Sequence, residues 1–164
     1  MTVADQDGLN LAFMHVVSIS LLVGSSVFFS VILLPISQNV LSQGDYYKLL
    51  GKIIKRFHPL LLLCYGFALM SGLWILTRYK IVSGVNYFQE YGNILIAKFS
   101  LAFAAIMVSC YQFFGLGTGI VYAMEEGLDT ADFPKKIRMM RLTSGITIVI
   151  FAALIYLGLA LSRG

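Results

Sequence analysis

The sequence contains few charged residues. Asp, Glu, Lys and Arg together make up 12% of its 164 residues, whereas 59% of the residues are hydrophobic. In soluble globular domains about a quarter of the residues are charged and roughly half are apolar. The composition therefore excludes an ordinary soluble domain and predicts an integral membrane protein.

Cysteine and basic N-terminal residues are also scarce. Cys64 and Cys110 lie in separate apolar runs and form no CxxC pair, which argues against a disulfide framework and a zinc site.

The glycine-rich "GLGTG" at residues 115–119 lies inside an apolar run and not after a strand, so it does not predict a phosphate-binding loop. The opening "MTVADQDG" has no Lys or Arg, and we therefore expect no cleaved signal peptide.

Four long apolar runs account for most of the chain. They cover about residues 9–36, 57–76, 94–122 and 142–161, and about 20 apolar residues suffice to cross a hydrocarbon core of about 30 Å as a helix. The backbone in lipid must satisfy its own hydrogen bonds, which favours helices. The polar segments between the runs are expected to be turns. We predict an all-α fold, with residues 1–164 forming one transmembrane domain and an up-down four-helix bundle.

The basic residues predict the orientation of this bundle. The first and third connectors are rich in them: Lys48, Lys52, Lys55, Arg56, Lys135, Lys136, Arg138 and Arg141. The second connector carries only Arg78 and Lys80. Connectors one and three should therefore face the cytoplasm, with both termini outside. We expect a multi-pass protein of the inner (cytoplasmic) membrane, and the net charge of +4 gives no reason to invoke nucleic acid as a partner.

Ionisable side chains inside the apolar runs are the candidate functional residues, because such groups are costly in lipid and usually face the bundle interior. In this topology His15 and Lys98 share a depth in the outer leaflet. His58, just before Pro59 at the expected start of the second helix, lies near the cytoplasmic face. Structural explanations stay open: Lys98 can extend to the headgroups, and His15 can simply bond a Ser or a backbone carbonyl.

A haem is the ligand that this pattern suggests for His15. Neutral imidazole is a common axial ligand of haem iron, and four-helix bundles hold such groups between facing helices. Small residues such as Ser18 on the first helix would open the space. Met70 and Tyr156 are expected near the same depth as His15, with Met70 as the candidate second ligand of the iron.

Short motifs in these runs resemble the CopD-like and HemJ-like membrane proteins. They are "LAFMHVVSISLLVGSSVFFSVILLP", "RFHPLLLLCYGFALMSGLWIL", "NILIAKFSLAF" and "KKIRMMRL". In that group a histidine in the first helix and a lysine early in a later helix recur, and the matching positions are His15 and Lys98. The resemblance implies haem binding and, for HemJ-type members, protoporphyrinogen oxidation. The CopD-like name implies copper, for which Met14 and His15 would be the ligands.

The sequence thus leads to one functional hypothesis with alternatives. We expect a membrane-embedded protein that binds haem b through His15 and performs redox chemistry or electron transfer. Lys98 would be the catalytic residue, pairing with a propionate or relaying charge to a tetrapyrrole or quinol. Met70, Ser18 and Tyr156 would bind the cofactor, and His58 is a candidate metal ligand. Expected partners are the lipid bilayer, a quinone or another electron carrier, and a second copy in a homodimer. The alternatives are a protoporphyrinogen IX oxidase, a copper-handling protein and a purely structural membrane protein.

Overall fold

The computed structural model describes the backbone of residues 3–83, 87–127 and 131–162, and the side chains of residues 6–78, 81, 92–127 and 131–159. Lys80 and the centre of the second connector therefore lie outside the described side chains. The described backbone is helical almost throughout. Its elements are α1 (Val3–Val27), a π-helical segment π1 (Phe28–Leu33), α2 (Leu34–Val40), α3 (Gln43–Ser83), α4 (Tyr87–Cys110), a second π-helical segment π2 (Tyr111–Gly117), α5 (Thr118–Glu125) and α6 (Phe133–Ser162).

Within the residues that the structure describes, four helical spans are long and apolar enough to cross a membrane: Gln6–Val40, Gln43–Arg78, Gly92–Glu125 and Phe133–Leu159. In the most apolar stretch of each span, only 17–22% of the residues are buried inside the protein. Large apolar side chains instead cover the outside, as at Phe13, Phe103 and Val149, each at least 66% exposed. An apolar exterior of this kind suits lipid and not water, so the fold indicates a multi-pass membrane protein.

The connectors contain much more helix than the sequence suggested. Residues 37–56 were expected to form a turn, yet α2 continues to Val40 and α3 already begins at Gln43. Only Leu41, with φ −98° and ψ 153°, and Ser42 interrupt the helix. Ser42 caps α3: its carbonyl accepts the Tyr46 N–H at 2.9 Å, and its hydroxyl oxygen accepts the Asp45 N–H at 3.3 Å. Ser is a favoured N-cap residue because it satisfies such free amides.

The extra helix is amphipathic, which explains why it forms outside the apolar run. Tyr46, Tyr47, Leu50 and Ile54 are all at most 5% exposed and repeat with helical spacing, while the lysines between them face outward. They pack in one cluster with residues of α2, α5 and α6: Leu34, Ile120, Phe133, Ile137 and Met140. The expectation that Pro59 begins this helix is wrong, because Pro59 lies inside α3.

The third connector is also shorter than expected. Helix α5 ends at Glu125, and Gly127 follows with φ 65°, a left-handed conformation that glycine adopts at helix ends without strain. Helix α6 begins at Phe133, nine residues before the expected 142, with the Lys136 N–H bonded to the Asp132 carbonyl at 3.1 Å. Pro134 fits at the second position of α6, where no intrahelical N–H bond is needed.

Two π-helical segments interrupt the first and third spans. Their wider turns are shown by bonds across five residues, from the Leu34 N–H to the Phe29 carbonyl and from the Thr118 N–H to the Phe113 carbonyl. Segments of this kind are rare and often accompany functional sites. The first span packs mainly on α3, and α4 packs mainly on α6.

Candidate functional site

His15 lies on α1, half-buried against the second span. Its Nδ1 is 2.9 Å from the Ala68 carbonyl oxygen and 3.0 Å from the Ser71 hydroxyl oxygen. A carbonyl only accepts, so Nδ1 carries the hydrogen. The Ser71 hydroxyl donates to the Phe67 carbonyl at 2.5 Å and so accepts from Nδ1 as well. In a neutral imidazole this arrangement leaves the lone pair on Nε2.

Gly72 makes room for this imidazole. A Cβ at position 72 would lie 3.0 Å from Cε1 of His15, which is tighter than ordinary van der Waals contact. Ser71 beside it is only 3% exposed. The ring of His15 is therefore fixed in orientation by two acceptors and by a backbone surface without a side chain.

Lys98 lies on α4, half-buried, with its Nζ against the fourth span. A Cβ added at Gly158 would be 3.6 Å from that Nζ. Lys98 also interacts electrostatically with His15. The two ionisable side chains that were expected to share one depth therefore lie within electrostatic range of one another, and Lys98 packs on the side of α6.

The three other residues expected around a haem fall into two groups. Ser18 is 6% exposed and lies one helical turn from His15 on α1. Met70 and Tyr156 are 71% and 73% exposed, so both point away from the bundle interior. They do not line one pocket with His15, because Met70 precedes the inward-facing Ser71 on α3 and cannot share its face. Met70 therefore does not lie where it could be the second axial ligand of an iron bound by His15 of the same chain.

His58 lies between helices and not at an interfacial helix start. It sits within α3, and its ring packs against Phe113 of π2 with 4.6 Å between ring centroids. Gly117 of π2 also lies against the ring, because a Cβ added at position 117 would be 2.8 Å from His58 Nε2. The second histidine therefore contacts the π-helical segment of the third span.

A small polar cavity adjoins His58 in the interior. Its volume is about 30 Å³, room for about two water molecules and far below the several hundred Å³ of a pocket for a drug-sized ligand. Its polar lining comes from all four spans: Ser25, Ser26, His58, Tyr65, Ser109, Gln112, Ser144 and Thr147. Gln112 donates to the Ser144 hydroxyl at 2.9 Å, and the Tyr65 and Ser109 hydroxyls bond one another.

Sequence reasoning missed this cavity. Its most distinctive residue is Gln112, an amide inside the long third apolar run and only 8% exposed. Uncharged polar side chains in membrane spans usually bond across helices, and that signal was present in the sequence. The π-helical turn that contains Gln112 has no comparable signal in the sequence.

No group of three His, Cys, Asp or Glu side chains that could hold a metal ion occurs within the described ranges.

Comparisons with known proteins found nothing similar: no protein-family model, no curated protein and no solved structure matches this chain.

Proposed function

We propose that the protein binds haem b through His15 and carries out redox chemistry or electron transfer in the membrane. The observation that carries the proposal is the fixed imidazole, whose Nδ1–H bonds the Ala68 carbonyl at 2.9 Å. A histidine that ligates a metal typically donates its other ring N–H to a carbonyl or carboxylate, which fixes the tautomer and raises the basicity of the ligating nitrogen. The donor set around His15 fits this pattern.

The surrounding residues support the same cofactor. Gly72 lets the ring of His15 pack closely against α3, and Ser18 is a small buried side chain on the same helix as His15. Lys98 offers a positive charge within electrostatic range of His15, as a haem propionate would require. A haem supplies reversible one-electron chemistry, and the protein tunes its potential by burial and hydrogen bonding. The cavity beside His58 measures about 30 Å³, too small for a haem, so the proposal places the iron on His15.

The proposed membrane placement is an up-down bundle in the inner membrane with both termini outside. Contacts between the connectors support it. Lys55 of the first connector and Glu125 at the end of the third span form an ion pair at 2.5 Å. A Cβ at Gly119 would lie 3.2 Å from Nζ of Lys136, so the basic ends of both connectors lie on one side. This side would face the cytoplasm under the positive-inside rule.

The test is the visible spectrum of the purified protein, oxidised and then reduced with dithionite. We expect a Soret band and sharpened reduced bands in the wild type, loss of both in His15→Ala, and retention of both in His58→Ala. The chain has two histidines, so His58→Ala is the matched control. A structural histidine would form the same hydrogen bonds as His15, but it would give a colourless wild type even after haem is supplied. That result would refute the proposal.

Two narrower functions follow from the same site. The resemblance to HemJ-type proteins suggests protoporphyrinogen oxidation, in which Lys98 would act on the tetrapyrrole. Restoration of porphyrin synthesis in a deficient strain by the wild type, and not by Lys98→Met, would support the oxidase. Haem binding without such restoration would leave electron transfer to a quinone or another carrier.

A further inference from the structure

A cleft opens on the outside of the bundle where the first span meets the second. Its volume is about 790 Å³, more than twenty times that of the interior cavity. One wall consists of apolar side chains from both spans: Phe28, Leu33, Ile53, Phe57 and Leu60. The other, the cationic wall, is formed by Lys52, Lys55 and Arg56 of α3, which line the cleft mainly with the apolar parts of their side chains. The cleft is therefore largely apolar and carries three cationic residues beside its apolar wall.

The first π-helical segment shapes the apolar wall. Phe28 and Leu33 are the first and last residues of π1. In a regular α-helix, residues five apart point about 140° away from each other. A π turn closes across five residues and so brings both side chains to the same cleft. Phe28 is 46% exposed and Leu60 is 51% exposed, which leaves apolar surface available to a ligand.

The cationic wall carries charge that the protein leaves largely uncompensated. Lys55 pairs with Glu125 at 2.5 Å, with both side chains more than half exposed. Within the part of the chain that the structure describes, no carboxylate forms an ion pair with Lys52 or Arg56. These two residues are four apart on one helix face, where like charges repel. An anion bound between them would relieve that repulsion.

We propose that this cleft binds one anionic phospholipid. The phosphate would lie between Lys52 and Arg56, and an acyl chain would lie along Phe28, Leu33 and Leu60. The order along α3 matches a lipid, since the cations precede the apolar residues at the point where the helix enters its apolar run. Basic pockets between membrane helices are known to recognise such headgroups. The site is separate from His15 and does not depend on haem binding.

Native mass spectrometry of the full chain in mild detergent tests the proposal, with phosphatidylglycerol and phosphatidylcholine as probes. The cleft variant is Lys52→Gln with Arg56→Gln. The matched control is Lys48→Gln with Lys135→Gln, which removes the same charge from exposed residues outside the cleft. We expect the wild type to bind one phosphatidylglycerol about tenfold or more tightly than phosphatidylcholine. The cleft variant should lose that preference, and the control should change by less than about twofold.

Four results would overturn the assignment. Equal losses in the two variants would show general surface attraction and no defined site. Equal binding of phosphatidylcholine would remove the headgroup selectivity. Inorganic phosphate that competes as well as the lipid would show that the apolar wall contributes nothing. Displacement by protoporphyrin IX at equal concentration, with the same dependence on Lys52 and Arg56, would assign the cleft to an anionic tetrapyrrole. The charge-conserving variant Lys52→Arg with Arg56→Lys should retain lipid binding and so separates charge from folding.

Discussion

The contact between His58 and π2 gives a sharp prediction about packing. An added Cβ at Gly117 would lie 2.8 Å from His58 Nε2 and 3.2 Å from Ile54 Cγ2, and closer still to His58 Cε1. The imidazole has little freedom to withdraw, because Phe113 packs against it with 4.6 Å between ring centroids. Gly117→Ala should therefore force α3 and π2 apart or turn the ring of His58 out of its place.

The loss of stability in Gly117→Ala can be compared with the same substitution at an uncrowded glycine. Overpacking a well-filled contact costs about 1–3 kcal/mol, whereas replacing a glycine inside a helix by alanine gains about 0.5–1 kcal/mol. Gly145 in α6 has nothing within 4 Å of an added Cβ, so Gly145→Ala should show only the gain. Both variants gain stability from replacing a glycine inside a helix by alanine, so the difference between them reports the overpacking alone. Gly117→Ala should therefore be about 1–3 kcal/mol less stable than Gly145→Ala.

Unfolding in mixed micelles by added dodecyl sulfate, followed by far-ultraviolet circular dichroism, measures this difference. The double variant Gly117→Ala with His58→Ala should recover part of the loss, with a coupling energy of about 1 kcal/mol or more between the two positions. Equal stability of Gly117→Ala and Gly145→Ala would refute the placement of His58 against π2. Additive effects of Gly117→Ala and His58→Ala would refute it as well.

Three further predictions concern hydrogen bonds and charge. Ser71→Ala removes one of the two acceptors of the His15 Nδ1–H and should weaken haem binding in a haem titration by about tenfold; unchanged affinity would show that the bond does not orient the ligand. Gln112→Leu deletes the donor to a serine of the fourth span and should cost about 1 kcal/mol in micellar unfolding, so a stabilised variant would contradict the contact. Lys55→Gln should change stability by at most about 1 kcal/mol, because its pair with Glu125 is exposed and screened by solvent, and a loss well above that value would show that the pair is buried in the membrane-embedded protein.

The helices were predictable from the sequence, but their ends were not. Hydropathy located the four spans because each must match the thickness of a bilayer. Hydropathy began the second span at residue 57, since Lys52, Lys55 and Arg56 are charged. The helix extends further because Tyr46, Leu50 and Ile54 bury one face while the charged residues occupy the other. A hydropathy average along the chain does not distinguish one face of a helix from the other.

The candidate site was predictable only in part. Ionisable residues in apolar runs singled out His15 and Lys98, and helical depth predicted that they would be near one another. The direction of each side chain depends on how the helices rotate about their axes, which depth does not fix. Met70 and Tyr156 therefore shared the expected depth with His15 yet face outward. Gly117 of π2 lies against His58, and Gln112 of π2 lines the same cavity as His58, but no local motif in the sequence predicted the π turn.

Rescue of a histidine deletion by free imidazole tests the central claim most directly. We would purify His15→Gly, add haem with and without imidazole, and record the reduced-minus-oxidised spectrum beside the wild type. After unbound haem is removed by gel filtration, the proposal predicts that no haem co-elutes with the variant when haem is added alone. When imidazole is present, haem should co-elute with the variant and show bands like those of the wild type. A variant that binds haem fully without imidazole, or a wild type that binds none, would show that His15 is not an axial ligand.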